Sequence, residues 1–198
     1  IFAAWSGEEL GLLGSSHYVR QYAKMFFADE DAKLDKLFAA ALNMDMIGRF
    51  ENKLVLQGVG SSSSWPAEIE KRNAPIGLPI TTQTDSYLAT DATSFYLRGI
   101  PILNAFTGAH EDYHKPSDDA EKINYQGIIK IIYFIQNIIN DLHDAPTLAF
   151  TKTKEENNKN RPRFSVTLGV MPDYLFDGEG MRIDGVSHGR PAEVAKIK

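Results

Sequence analysis

The amino-acid sequence predicts a three-layer α/β domain, followed by the beginning of a second, β-rich unit. Three features carry that expectation. Short, nearly continuous apolar runs are bounded by glycine and serine, helical stretches with apolar spacing of three and four lie between them, and a charged break near residue 151 precedes renewed strand-like patterning.

The bulk composition sets limits on function. The chain has 198 residues, 43% hydrophobic and 24% charged, which suits one main core and leaves room only for a small second unit. A formal charge of −5 and a pI near 5.5 provide no basic field for a phosphate backbone, so nucleic acid is not an expected partner and peptide or small substrates fit better. There is no cysteine, which excludes disulfides, thiolate zinc sites and cysteine nucleophiles; any metal must sit on His, Asp or Glu. The chain opens on Ile1 with no leader and closes on residues 194–198 with no stop signal, so both termini are expected to cut through structured regions.

Taken in order, residues 1–5 form a short apolar run bounded by Ser6-Gly7 and are expected to be a central strand. Gly11 and Gly14 make a loop, after which Ser15 is placed to cap a helix carrying Tyr18, Tyr22 and Phe26. Residues 37–46 read as a second buried strand and residues 54–56 as a third. A helix is expected over 66–72, with Pro66 in its first turn, and a fourth strand over 100–105. Residues 123–142 form the longest apolar stretch. Lys130, Gln136, Asn137, Asn140 and Asp141 interrupt it, so it reads as a core helix rather than a membrane span, with Ile128, Ile132, Ile135 and Ile139 as the stripe facing the sheet. The division that follows is a main domain over 1–150, a Lys/Glu/Asn/Arg-rich linker over 151–163 and a new unit over 164–198.

Three segments can carry chemistry. Glu8 and Glu9 follow the first apolar run, where α/β sheets place their ligand crevice; one carboxylate can act as a base and the other as a metal ligand, or the pair is a solvated acidic turn. Asp45 stands between Met44 and Met46 at the end of an apolar strand, poorly hydrated, and calls for either a cation or an ion pair with Arg49. His110 and His114 are four apart, but Gly108 and Pro116 argue for a loop rather than a helix; a ligating His114 would need its second nitrogen held by a carboxylate such as Asp112 or Asp118. Together these segments offer two carboxylates and an imidazole from one sheet, a donor set that suits zinc with an open position, and leave Glu8 as base. His17, His143 and His188 have no such context and read as structural or surface residues.

The run Trp5-Ser6-Gly7-Glu8-Glu9-Leu10-Gly11-Leu12-Leu13-Gly14-Ser15 resembles the signature of peptidase family M28. Asn43-Met44-Asp45-Met46-Ile47-Gly48 and Asp112-Tyr113-His114-Lys115-Pro116-Ser117-Asp118 are similar to two further segments of that family, in the same order. The resemblance spans roughly residues 1–145. It implies a zinc aminopeptidase acting on peptide or protein substrates, with Glu8 as general base, Glu9 and His114 on one Zn2+, and Asp45 on a second. Thr90-Asp91-Ala92-Thr93-Ser94-Phe95 resembles a family segment in which Ala92 is ordinarily histidine. Tyr87 matches a tyrosine that donates to the tetrahedral intermediate; a packed aromatic is the alternative. The resemblance also implies two more ligands, a His and a bridging Asp, from segments preceding the Glu-Glu run. These residues alone are therefore expected to bind zinc weakly or not at all, and to be inactive.

Leu168-Gly169-Val170 and Asp184-Gly185-Val186-Ser187-His188-Gly189-Arg190-Pro191-Ala192 resemble parts of a PDZ-like module, which implies a site for a peptide carboxyl terminus. Relatives coupling the two modules imply a periplasmic or extracellular location. Two rivals share the scaffold: a glutaminyl cyclase-like enzyme with one zinc, and a non-catalytic receptor-like ectodomain.

Overall fold

The computed structural model of this chain describes residues 1–144, 148–153, 168–172, 180, 183–186 and 189–197. They fall into two units: Ile1–Thr107 with Ala120–Lys154, and Gly108–Asp119 with Glu155–Lys198.

The first unit is built on four strands: β1 (Ala41–Asp45), β2 (Leu54–Gln57), β3 (Ile80–Thr82) and β4 (Ile102–Phe106). Their order is β1-β4-β2-β3, with β1 parallel to β4, β4 antiparallel to β2 and β2 parallel to β3. Four helices accompany them: α1 (Leu13–Phe27), α2 (Trp65–Asn73), α3 (Ala92–Tyr96) and α4 (Tyr125–Asp144). Side chains alternate across the strands, and both faces are apolar enough to be covered. Leu54, Leu56, Leu103 and Ala105 pack with Trp65 and Ile69 of α2 and with Ile131, Phe134, Ile135 and Ile138 of α4. Ile102 and Ala41 pack with Val19 and Ala23 of α1 and with Ala92, Phe95 and Tyr96 of α3. Helices on both faces of a mixed sheet make this unit three-layered, as expected. Truncating a fully buried residue such as Phe134 costs about 3–5 kcal/mol.

The Gly-Ser stretch after β2 has a structural task. The Ser61 hydroxyl donates to Ile102 O at 2.9 Å and accepts from Ile102 N at 2.8 Å, while Trp65 Nε1 donates to the same oxygen at 3.2 Å. One small side chain thus satisfies both backbone groups at the start of β4 and anchors the largest buried ring.

Several expectations need correction. Residues 1–5 are not a strand, and Ile1 and Phe2 are 90% and 94% exposed. No described strand pairs with them, so their apolar pattern has no ladder to join. Ser15 does not cap α1; it lies inside the helix, fully buried, while Leu12 holds the N-cap place with φ 59°. The expected strand over 37–46 shortens to β1 because Leu37 N and Phe38 N both turn back onto Leu34 O. In α4 the sheet-facing stripe is Ile131, Phe134, Ile135 and Ile138, whereas Ile132 and Ile139 are 45% and 40% exposed. Strand β3 and helix α3 had no expectation: at three and five residues they are too short for a periodic signal.

In the second unit, β5 (Val170–Pro172) pairs antiparallel with β6 (Ile183–Val186), and a short helix α5 (Pro191–Val194) follows. Gly169 has φ +77°, and Ala192 N donates to Leu168 O at 2.9 Å. Residues 154–163 of the expected linker, residues 164–167 and His188 lie outside the described residues. Residues 151–153 bond into the first unit through Thr151 N to Ser61 O and Thr153 N to the Tyr96 hydroxyl, both at 2.8 Å. Among the described residues, no helix is long and apolar enough to cross a membrane.

Candidate functional site

Glycine placement shapes the turn that carries Glu8 and Glu9. Gly7 has φ +67° and Leu12 φ 59°, left-handed conformations that wind the chain tightly ahead of α1. The carbonyls of Ser6, Gly7 and Glu8 are all used: Gly14 N reaches Ser6 O at 2.9 Å, Leu13 N reaches Gly7 O at 3.1 Å, and Gly11 N and Leu12 N reach Glu8 O at 2.9 Å. Gly14 is required at its position, because a Cβ there would stand 2.8 Å from both Ser6 N and Ser6 O. The two carboxylates are therefore borne on a closed, hydrogen-bonded turn, with Glu8 half-buried and Glu9 exposed.

Asp45 ends β1, opposite Phe106 of β4, and Met46 follows with φ 53°. The Thr107 hydroxyl donates to Met46 O and ties this end of β1 to the end of β4. Met44 is 46% exposed and Asp45 half-buried, so the aspartate is wetter than its flanking methionines suggested. β1 is the terminal strand of the sheet, and Met44 and Asp45 point to opposite faces of it.

On the face of the sheet that bears Asp45, an unforeseen chain of side-chain amides crosses the strands. Asn43 Nδ2 donates to Asn104 Oδ1, Asn104 Nδ2 to Gln57 Oε1, and Gln57 Nε2 to Gln83 Oε1, each at 2.8 Å. Asn104 is wholly buried and Gln57 8% exposed, so this ladder replaces water for polar groups inside the fold. The same face thus changes from apolar at Ala41 and Ile102 to polar at Asn43, Asn104 and Gln57, with Asp45 beyond.

Tyr87 packs edge-on against Tyr96, centroids 5.1 Å apart at 78°, within the cluster of α1 and α3. Its aromatic packing role is therefore observed. Helix α3 is joined to α1 by buried hydroxyls, with Ser94 Oγ 2.8 Å from Ser15 Oγ and 3.1 Å from Ser16 Oγ. Beside Ala92, Asp91 is 8% exposed, and its Oδ1 and the Thr90 hydroxyl are buried without a hydrogen-bond partner among the described residues.

His110 and His114 lie in the Gly108–Asp119 segment of the second unit, on consecutive turns rather than a helix. His114 has φ 54° and stacks on Tyr113, centroids 3.9 Å apart. Asp112 accepts from the Ser117 hydroxyl at 2.7 Å, and Asp118 stands 3.8 Å from His110 Nε2.

Glu8, Glu9, Asp45 and Tyr87 accordingly belong to the first unit and His114 to the second. Among the described residues, no three His, Asp or Glu side chains cluster closely enough to hold a metal ion. The described residues by themselves do not complete a zinc site.

Residues 1–139 match peptidase family M28. The chain belongs to that family. Among curated relatives of this M28 chain, leucine aminopeptidase 2 of Trichophyton rubrum is 29% identical over 85% of the chain and 38% of its own length. Leupeptin-inactivating enzyme 1 of Streptomyces exfoliatus is 31% identical over 61% of the chain and 25% of its own length. Among solved structures, a zinc aminopeptidase from Bacillus subtilis, BSAP, superposes with a TM-score of 0.57 at 22% identity, covering 76% of this chain and 38% of its own. The LapA aminopeptidase of Legionella pneumophila gives 0.57 at 18% identity, covering 72% and 38%. The M28 chain thus shares the fold of zinc aminopeptidases and spans between a quarter and two-fifths of the length of these relatives.

Proposed function

We propose that the protein carrying this M28 chain is a zinc-dependent aminopeptidase that removes amino-terminal residues from peptides. The observation that carries the reading is the closed Ser6-Gly7-Glu8-Glu9 turn, held by Gly14 against the Ser6 backbone within the residues that match the family. The leucine aminopeptidases and the zinc aminopeptidase to which the chain is similar support the substrate class and the metal.

In this reading Glu9, Asp45 and His114 are metal ligands of a dinuclear centre completed by residues outside this chain. Glu8 takes a proton from the water that attacks the scissile carbonyl and returns it to the leaving amine. Tyr87 donates to the developing oxyanion in addition to packing on Tyr96. The test is Glu8→Gln in the complete protein, assayed on amino-acid anilides with metal content measured in parallel. Zinc content is expected to be unchanged and hydrolysis to fall at least about 100-fold; substantial retained hydrolysis refutes the role of Glu8.

We also propose that residues 164–198 begin a PDZ-like module separated from the peptidase domain, residues 1–150, by a linker. Supporting it are the β5–β6 pairing, the left-handed Gly169 ahead of β5, and the start of α5 at Pro191. Its ligand would be a peptide carboxyl terminus. Binding of a peptide with a free carboxylate, but not its amidated twin, tests the reading; equal binding of both rejects it.

A further inference from the structure

Tyr87 is half-buried, and its main chain is anchored on both sides of the loop that carries it. Its N–H donates to Asp85 Oδ1 at 3.0 Å, and Asp85 O accepts from Gly58 N at 2.9 Å. The ring is a separate matter. The torsion that turns a tyrosine ring about its Cβ–Cγ bond is broad, so a phenol that must aim its O–H at one point needs a neighbour to set its plane. Tyr96 is such a neighbour: its ring meets Tyr87 edge-on, centroids 5.1 Å apart at 78°.

Tyr96 is 2% exposed and is itself held by residues 148–153, a strap that follows α4. Thr153 N donates to the Tyr96 hydroxyl at 2.8 Å, and Thr153 Oγ1 lies 3.0 Å from the same oxygen. Phe150 packs on the Tyr96 ring, centroids 5.3 Å apart. The strap has its own anchors. Leu148 belongs to the buried cluster that contains Trp65 and Phe134, Thr151 N donates to Ser61 O at 2.8 Å, and a Cβ on Gly60 would stand 2.6 Å from Thr153 Cγ2. All these residues lie in the first unit, and the strap itself lies beyond the residues that match the family.

We infer that Tyr96, clamped by Thr153 and Phe150, is a positioning residue that sets the plane of Tyr87 for donation to the developing oxyanion; this rests on the reading of Tyr87 as that donor. A phenylalanine would fill the same buried space. The Tyr96 hydroxyl adds only its contacts with Thr153, which join the strap to the ring that touches Tyr87. Precision has value here, because an oxyanion donor contributes about 100- to 1,000-fold to kcat and a misplacement of about 1 Å can forfeit about 100-fold.

The test is a kinetic cycle in the complete protein. Tyr87→Phe removes the donor and should lower kcat at least about 100-fold. Tyr96→Phe keeps the ring but releases the clamp, and should lower kcat about 10-fold with KM within about twofold of wild type. Thr153→Val removes the hydroxyl on the other side of the clamp and should act in the same direction. The deciding measurement is Tyr87→Phe combined with Tyr96→Phe. It should be no slower than Tyr87→Phe alone, because the aim of residue 87 is immaterial once its O–H is gone. A Tyr96 hydroxyl that merely holds the strap down predicts losses that multiply. The same cycle with Thr153→Val decides the matter should Tyr96→Phe not fold. Full kcat in Tyr87→Phe removes the donor role and this inference with it. A slow Tyr87→Phe, together with wild-type kcat in Tyr96→Phe and Thr153→Val or with multiplying losses, overturns the inference and leaves the donor role standing.

Discussion

Gly14 N donates to Ser6 O at 2.9 Å, and the space beside Gly14 is so closed that a methyl group there would lie 2.8 Å from the Ser6 nitrogen and oxygen alike. Backbone cannot move aside as a side chain can, so the first turn of α1 and the turn bearing Glu8 and Glu9 are one unit.

Gly14→Ala should therefore displace the carboxylate turn rather than merely fill space. Overpacking of this kind costs about 1–3 kcal/mol, although alanine is the better helix former. Urea denaturation should show a lower midpoint, and in the complete protein the loss of hydrolysis should exceed the loss of stability. A midpoint equal to that of the unaltered chain would mean that the turn relaxes freely and does not position Glu8.

Asn104 is the central link of the amide ladder, fully buried and bonded on both sides. Asn104→Leu leaves Asn43 Nδ2 and Gln57 Oε1 without their partner, at about 1–3 kcal/mol for each group that stays buried. Asn43→Ala, at the half-exposed end, should cost less than about 1 kcal/mol because water can replace it. A double-mutant cycle between Asn104→Leu and Gln57→Leu should give a coupling of about 0.5–3 kcal/mol. Additive effects would show that the two amides are not linked in solution.

These relationships differ in how far the sequence announced them. β2 and α2 were legible because Leu54-Val55-Leu56 is a continuous apolar run and Pro66 marks a first helical turn. The loop after Glu8 and Glu9 was legible for the same kind of reason, since Gly11 and Gly14 punctuate the run and permit the left-handed conformations a tight turn needs. The inward face of α4 was not, because isoleucine occupies both sides at helical spacing and periodicity cannot choose between two apolar stripes. The ladder was illegible: Asn43, Gln57, Gln83 and Asn104 are brought together only by strand order and register, which local pattern does not encode. His114 was correctly expected on a loop by Gly108 and Pro116, but no sequence signal indicated that its segment would group with residues after 155 rather than with the sheet.

Tyr18 gives a pH-dependent signature of the aromatic cluster on α1. Burial, then a hydrogen bond and a charge interaction with Tyr22, push its pKa up from the usual 10 to about 12. Between those values the unfolded chain gives up the Tyr18 proton while the folded chain keeps it. The unfolded state then binds fewer protons, so stability conferred by the neutral phenol is complete below pH 10 and is lost as pH rises towards 12. Tyr18→Phe should flatten the fall in stability over that window. A spectrophotometric titration of the wild type should show one late phenol that is missing from the variant; identical titration curves would contradict the burial of this hydroxyl.

Asn124 ties the start of α4 to the loop that follows Asp45. Its Oδ1 accepts from Gly127 N at 2.9 Å as a helix cap, its backbone N donates to Gly48 O at 2.8 Å, and its Nδ2 donates to Phe50 O at 2.5 Å. Gly127 must be glycine for this closure, since a Cβ would stand 2.9 Å from the Phe50 side chain. Asn124→Ala removes the cap and the bond to Phe50 together, with an expected loss of about 1–2 kcal/mol. Asn124→Asp keeps the cap acceptor, and even favours it through the helix dipole, but cannot donate to Phe50 O; it should recover part of the loss. Equal destabilisation by both variants would assign the effect to the Phe50 bond alone. Recovery to wild-type stability by Asn124→Asp would show that the cap carries all of it and that the loop after Asp45 is held by the Gly48 backbone bond.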